Sequence, residues 1–61
     1  MNVKNLRESR NLTQEMLAEQ LGVNRSTVAM WETGKAMPSS DKLPALAKIF
    51  ECTIDELFVS Q

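Results

Sequence analysis

Side chains that could carry catalysis or hold a metal ion are scarce in this sequence. It contains no histidine and a single cysteine, Cys52, so neither an internal disulfide nor a Cys/His metal site can form. Histidine is also the side chain that most readily acts as a base near neutral pH. We therefore expect no enzyme activity, no metal and no cofactor, and no small-molecule ligand is evident. The chemistry that remains is recognition through hydrogen bonds and apolar contacts.

The side chains best suited to recognition lie in a short run near the middle of the chain. An arginine such as Arg25 can bond two acceptors of a guanine edge at once. Ser26 and Thr27 can hydrogen bond to base edges or to phosphates. Ala29 and Met30 could contact a thymine methyl group. These five residues form the candidate reading surface.

The spacing around this run indicates a helix-turn-helix. Ala18 stands four residues before Gly22, and Val28 follows that glycine by six. Two helices joined by a tight turn cross at about 90–120°, so a small side chain is needed where they approach. Glycine adopts the left-handed backbone of the turn without steric cost. We predict the motif at about residues 13–32, with a core of Leu17, Ala18, Leu21, Gly22, Val28 and Trp31.

Hydrophobic periodicity and capping residues predict three short helices in the first half of the chain and no strand. Each helix follows a residue that can cap an N-terminus, and each ends at a residue that tolerates left-handed backbone. The predicted helices run from Val3 to Arg10, from Gln14 to Leu21 and from Arg25 to Glu32. Their N-caps are Asn2, Thr13 and Asn24, and their ends are marked by Asn11, Gly22 and Gly34.

The third helix must turn one face inward for the reading surface to face outward. At 100° per residue, an inner face of Asn24, Val28 and Trp31 directs Ser26, Ala29 and Met30 to solvent. Asn24, at the start of this helix, is also counted among the candidate DNA contacts.

A fourth helix is predicted after the loop that contains Pro38. Leu43, Leu46, Ala47 and Phe50 have helical spacing. A proline at position 44 is tolerated only in a first turn, so we expect an N-cap at residue 40 or 41 and an end near residue 51.

A fifth, very short helix is predicted at the C-terminus. Thr53 and Glu56 have the spacing of a capping box. We expect Ile54 and Leu57 to face the core. Phe58 and Val59 are the candidate dimer interface.

Composition and charge bound the class of protein. With 43% hydrophobic and 25% charged residues, the composition of the 61-residue chain indicates a single globular domain over residues 1–61. No apolar stretch approaches the roughly 20 residues that cross a bilayer, and the first ten residues lack a signal-peptide core. We therefore expect a cytoplasmic location and no membrane contact.

The net charge of −1 is distributed unevenly. Residues 1–37 carry five basic and four acidic side chains, whereas residues 38–61 carry two basic and four acidic ones. Because basic side chains supply much of the affinity for phosphates, the chain as a whole argues against tight DNA binding by a single subunit.

The sequence resembles the lambda-repressor and Cro-like (XRE-type) helix-turn-helix repressors of phages and bacteria. The resemblance covers nearly the whole chain and is carried by residues 6–8, 12–15, 17–23, Val28, 31–35, Pro38 and 46–47. It implies a compact five-helix, all-α DNA-binding fold.

The resemblance also implies roles for individual residues. Gln14 matches a position that binds phosphate or supports the reading helix, which is the predicted helix from Arg25 to Glu32. Lys35 and the segment near Ser39 match the loop that follows the DNA backbone. Arg7 and Glu32 match a partly buried ion pair between the first helix and the end of the reading helix. The positions that face the major groove match Arg25, Ser26, Thr27 and Met30.

The sequence departs from stronger DNA binders at Ser26, Thr27, Ala29 and Met30, where relatives often carry amides or basic residues. We therefore expect a homodimer on a two-fold symmetric operator, with half-sites about 34–36 Å apart. The expected function is that of a small transcriptional regulator, more often a repressor in this family. The alternatives are an antitoxin-like DNA-binding protein with a protein partner, and a helical protein-interaction module that binds no DNA.

Overall fold

The computed structural model describes residues 1–58, which form four α-helices and a C-terminal 3₁₀ helix. The helices are α1 (Val3–Ser9), α2 (Gln14–Leu21), α3 (Arg25–Thr33) and α4 (Lys42–Phe50), and the 3₁₀ helix covers Asp55–Phe58. No residue in this range lies in a strand. The predicted all-α fold is confirmed, with a single 3₁₀ turn as its fifth element. None of the helices in residues 1–58 combines the length and apolarity needed to cross a membrane.

The boundaries of α2 and α3 follow from local residue chemistry. Thr13 is the N-cap of α2, and its hydroxyl accepts a hydrogen bond from the N–H of Met16 at 3.0 Å. Gly22 ends this helix with left-handed backbone at φ 71°. Gly34 ends α3 in the same way at φ 81°, as predicted, although the helix extends to Thr33, one residue beyond the predicted Glu32.

The predicted N-caps Asn24 and Asn2 do not act through their side chains. The carbonyl of Asn24 accepts the N–H of Thr27 at 3.0 Å, but its side chain makes no cap bond and is exposed, so its predicted place on the inner face is wrong. Its backbone is extended (φ −79°, ψ 152°), and the helical period that buries Val28 therefore does not reach it. Asn2 is buried without a side-chain cap bond, and its N–H donates to the carbonyl of Leu57 at 2.7 Å.

The start of α4 accommodates its proline. The helix begins at Lys42, so Pro44 lies in the first turn, where its missing N–H would have no partner within the helix. Asp41 holds the N-cap position without a side-chain cap bond. The helix ends at Phe50, one residue earlier than predicted, because Glu51 adopts left-handed backbone at φ 53°.

Two cationic side chains close the C-termini of helices to which they do not belong. The ammonium group of Lys42 donates to the carbonyl of Leu21 at 3.1 Å, and the guanidinium of Arg10 donates to the carbonyl of Phe50 at 2.9 Å. The last carbonyls of a helix lack internal partners and carry partial negative charge, so both contacts are favourable.

The first helix, α1, ends at Ser9, one residue before its predicted end at Arg10.

A single cluster of buried side chains joins the helices. Its members are Val3, Leu17, Ala18, Leu21, Val28, Trp31, Leu46, Ala47, Phe50 and Leu57.

The C-terminal element contributes less to this core than predicted. The prediction that Ile54 faces inward is wrong, because the 3₁₀ turn begins after it and 41% of its surface is exposed. Leu57 is the residue of this turn that is buried, whereas Phe58 is 46% exposed. Val59, the second candidate interface residue, lies outside the described residues.

Substitution of Gly22 tests how much the turn depends on left-handed backbone. A Cβ at this position meets no atom within 4 Å, so the expected loss for Gly22→Ala is the backbone penalty alone, about 1–2 kcal/mol. Asparagine tolerates this conformation, and the matched variant Gly22→Asn should lose less. Urea denaturation measures both, and equal losses would show that the backbone penalty does not set the cost.

Candidate nucleic-acid interface

The turn between α2 and α3 is closed at Ala18. This residue is 3% exposed, and its carbonyl accepts the N–H of Val23 at 3.0 Å. Leu17 on α2 and Val28 on α3 are both fully buried. The inner faces of the two helices are thus fixed in one core, and α3 is held with its opposite face outward.

The outer side of α3 carries the candidate reading surface. Arg25, Ser26 and Met30 are exposed, and 39% of the surface of Met30 is accessible. Thr27 and Ala29 are half-buried on its flanks. These side chains combine a guanidinium, two hydroxyl groups and two apolar groups on one short helix, which suits the edges of base pairs.

The loop after α3 folds back onto the end of that helix. The N–H groups of Lys35 and Ala36 donate to the carbonyl of Met30 at 3.0 and 3.3 Å. Pro38 is buried and anchors the loop, while Lys35 is exposed. The backbone of Lys35 therefore lies against the end of α3, and its side chain is exposed.

Ser39 is exposed, but its hydroxyl already has a partner. It donates to the carboxylate of Asp41, and this hydrogen bond lowers the pKa of Asp41. A phosphate contact from Ser39 would require that bond to be exchanged beside a negative charge. Its DNA contact stays a prediction.

A buried ion pair ties α1 to the end of α3. Nε of Arg7 donates to Oε2 of Glu32 at 2.7 Å, and Nη2 donates to Oε1 at 3.3 Å. The two side chains are only 10% and 5% exposed, and Nη1 of Arg7 donates to the carbonyl of Leu12 at 2.7 Å. Hydrogen bonding to Glu32 raises the pKa of Arg7, so the guanidinium remains charged.

Gln14 connects this pair to the reading surface. The Nε2 of Gln14 donates to Oε1 of Glu32 at 3.0 Å, and Nη1 of Arg25 donates to Oε1 of Gln14 at 3.2 Å. The resemblance implied that Gln14 supports the reading helix, but neither partner of this bridge was predicted. The bridge joins residues 18 and 11 positions apart, and no local spacing signals such contacts.

Fewer cations are available to contact DNA than the seven lysines and arginines of the sequence. Arg7, Arg10 and Lys42 are bonded to carboxylates or carbonyls within the domain. The other four are exposed and make no ion pair within residues 1–58; they are Lys4, Arg25, Lys35 and Lys48. Arg25 and Lys35 are the two that belong to α3 or its following loop.

An open depression of about 640 Å³ lies at the start of α2. Its lining includes Arg7, Gln14 and Arg25, but also Glu8 and Glu15. The mixed charge does not favour a small anion. Residues 1–58 contain no group of three or more side chains that could hold a metal ion.

A double-mutant cycle tests the energetic coupling of the buried pair. Removing one partner leaves a buried charge unpaired, so we expect Arg7→Met and Glu32→Gln each to cost about 3–5 kcal/mol. The double variant should lose clearly less than the sum of the two. Denaturation in a stabilising osmolyte gives the values.

The exposed pair of Arg10 and Glu51 provides the control. Its atoms lie 3.3 Å apart with side chains 40% and 73% exposed, and surface pairs couple by at most about 1 kcal/mol. If the buried pair couples no more strongly than this one, it does not act as a unit.

Comparison with known proteins places these features in a family. A sequence model described as helix-turn-helix matches residues 3–57. The transcriptional activator BcrR of Enterococcus faecalis is 49% identical over 55 residues, which cover 90% of this chain and 27% of BcrR. The transcriptional regulator MJ0272 of Methanocaldococcus jannaschii is 42% identical over 57 residues, which cover 93% of this chain and 86% of that protein. No solved structure matches the chain.

A phage protein is also similar. The cryptic phage CTXphi transcriptional repressor RstR of Vibrio cholerae is 32% identical over 53 residues, which cover 87% of this chain and 47% of RstR. The chain thus spans about a quarter of BcrR and about half of RstR. With a family match over almost its full length, the chain belongs to the lambda-repressor-like (XRE-type) helix-turn-helix family of DNA-binding transcriptional regulators.

Proposed function

We propose that this chain represses transcription by binding a two-fold symmetric operator as a homodimer, with α3 in the major groove. The observation that carries the proposal is the exposed outer side of α3, with Arg25 at its start, on a helix whose other side is fixed in the core. The site acts without chemistry, by occupying DNA, and we place it in the cytoplasm with that DNA.

Each residue of the interface has a proposed role. Arg25 bonds a guanine edge, Ser26 and Thr27 bond base edges or phosphates, and Ala29 and Met30 contact thymine methyl groups. The residues proposed to contact the DNA backbone are Gln14, Asn24, Lys35 and Ser39.

Repression is proposed because occupancy alone is sufficient for it. A dimer on an operator that overlaps a promoter excludes the polymerase without a further contact. Among the relatives, RstR is named a repressor and BcrR an activator. Transcription in vitro from a promoter that contains the selected operator distinguishes the two roles, and an increase in transcript would contradict repression.

The DNA contact of Arg25 is tested by selecting bound sequences from a random duplex pool. A two-fold symmetric consensus is expected. Arg25→Ala should remove the preference at one base pair of each half-site, at a cost of about 1–3 kcal/mol. Lys48→Ala removes the same charge from an exposed position on α4 and serves as the matched control. A consensus that Arg25→Ala leaves unchanged would contradict the assignment.

The salt dependence separates DNA binding from a protein-interaction module, which the acidic pI of about 5.2 would favour. With Lys35 as the cation that each subunit places against a phosphate, a dimer should show a slope of log K against log salt of about −2, and a monomer one of about −1. The interaction module predicts no duplex binding even at low salt.

Phe58 is proposed as part of the dimer interface because 46% of its surface is exposed on the 3₁₀ turn. Phe58→Ala should weaken dimerisation about tenfold or more through the lost apolar burial. Met16→Ala, at a residue with 44% exposure on α2, is the control and should change little. Sedimentation at increasing concentration measures both, and a wild-type monomer at all concentrations contradicts the homodimer.

A further inference from the structure

We infer that Met30 is an oxidation site, through which a peroxide lowers the affinity for DNA without unfolding the domain. This inference rests on the proposed function, in which Met30 contacts a thymine methyl group. The feature that carries it is the placement of the methionines. All of them are exposed, and one lies on the reading surface.

Methionine is distributed unevenly between the core and the surface of this domain. The four methionines are between 36% and 62% exposed, whereas the core cluster of residues 1–58 contains leucine, valine, alanine and aromatic side chains and no methionine. A methionine sulfoxide disrupts packing when it forms inside a core. Because no methionine belongs to this core, oxidation of all four leaves the packing of the helices intact.

Met30 differs from the other three methionines in its position on the fold. It lies on the outer side of α3, and Ser26 of the reading surface stands four residues before it on the same side of the helix. Met1 precedes α1, Met16 belongs to α2, and Met37 lies in the loop between α3 and α4. Met30 is therefore the methionine whose side chain reaches the bases in the proposed complex.

A peroxide converts the thioether of Met30 to a sulfoxide by transfer of one oxygen atom. The sulfur donates an electron pair to one peroxide oxygen, and the O–O bond breaks as the S–O bond forms. With hydrogen peroxide, the departing oxygen takes the proton of the transferred oxygen and leaves as water. The sulfur is oxidised and the peroxide is reduced by the same electron pair.

The product no longer suits the base that the thioether contacts. A sulfoxide is polar and its oxygen accepts hydrogen bonds, whereas a thymine methyl group offers no donor. Closing this contact would remove water from the sulfoxide oxygen and leave it without a partner, which costs free energy. Oxidation of Met30 therefore opposes binding at the base that the reduced side chain favours.

The thiol of Cys52 is the rival target of a peroxide. Thiolates are the reactive form of cysteine, and burial raises the pKa of the Cys52 thiol, so less thiolate is present near neutral pH. Cys52 is half-buried and lies two residues beyond the end of α4, outside the reading surface. Its oxidation is not expected to change the contact with the base.

The test measures operator affinity for each protein before and after treatment with hydrogen peroxide, and the ratio of the two is the readout. The wild type should lose about tenfold per subunit, or about a hundredfold as a dimer, which is the cost of one unpaired polar group in each half-site. Met30→Leu should give a ratio of about one, whatever its own affinity is. The matched controls, the double variant Met16→Leu with Met37→Leu and the variant Cys52→Ala, should keep the full loss. Methionine sulfoxide reductases with a thiol reductant should restore the wild-type affinity.

An operator with deoxyuridine in place of one thymine tests the contact itself. The thymine to replace is the one whose preference Met30→Ala abolishes in the selection, and the replacement removes the methyl group alone. Reduced wild type should bind this operator more weakly than the thymine operator. Oxidised wild type should bind the two alike, because its sulfoxide gains nothing from the methyl group.

Peptide mass spectrometry reports which methionines have gained oxygen, and circular dichroism should give the same unfolding midpoint before and after oxidation. A loss of affinity that persists in Met30→Leu, or that disappears in Cys52→Ala, overturns the inference, as does unfolding on oxidation. If reduced wild type selects a consensus and keeps its affinity when Met30 is oxidised, the inference fails alone. If reduced wild type selects no consensus, the proposed function fails and the inference fails with it.

Discussion

The carboxylate of Glu32 accepts hydrogen bonds from two side chains that come from α1 and from the start of α2. Glu32 itself lies near the end of α3, so this one group fixes three helices relative to one another. Burial of an ion pair is costly, because both charges lose water, and a pair of apolar side chains in the same space is often at least as stable. We therefore attribute to Glu32 a positional role. It fixes α3, and the residues at the start of α3, relative to α1 and α2.

The order of the elements could be read from the sequence because local chemistry determines it. Thr13 caps α2, and Gly22 and Gly34 adopt the left-handed backbone that ends α2 and α3. Periodicity also predicted the exposed side of α3, including Met30.

The predictions failed where local patterns stop applying. Asn24 precedes the first helical residue, so extending a 100° period back to it was wrong. Ile54 lies before a single 3₁₀ turn that is too short to bury a second side chain. Ion pairing between Arg7 and Glu32, and a supporting role for Gln14, were implied by resemblance alone. The partners of Gln14 were not predicted, because contacts between distant residues have no signature in one sequence.

The ends of the described chain link folding to the proposed dimer. Asn2 donates its N–H to Leu57, and its buried Oδ1 has no partner within residues 1–58, so this position is held by the backbone bond and by packing. Leu57 is fully buried while Phe58, next to it, is exposed. A single turn has almost no stability of its own. Any partner that covers Phe58 therefore stabilises the turn and, through Leu57 and Asn2, the start of α1. Because α1 also supplies Arg7, contacts within the monomer connect this turn, through α1, to Glu32 on α3.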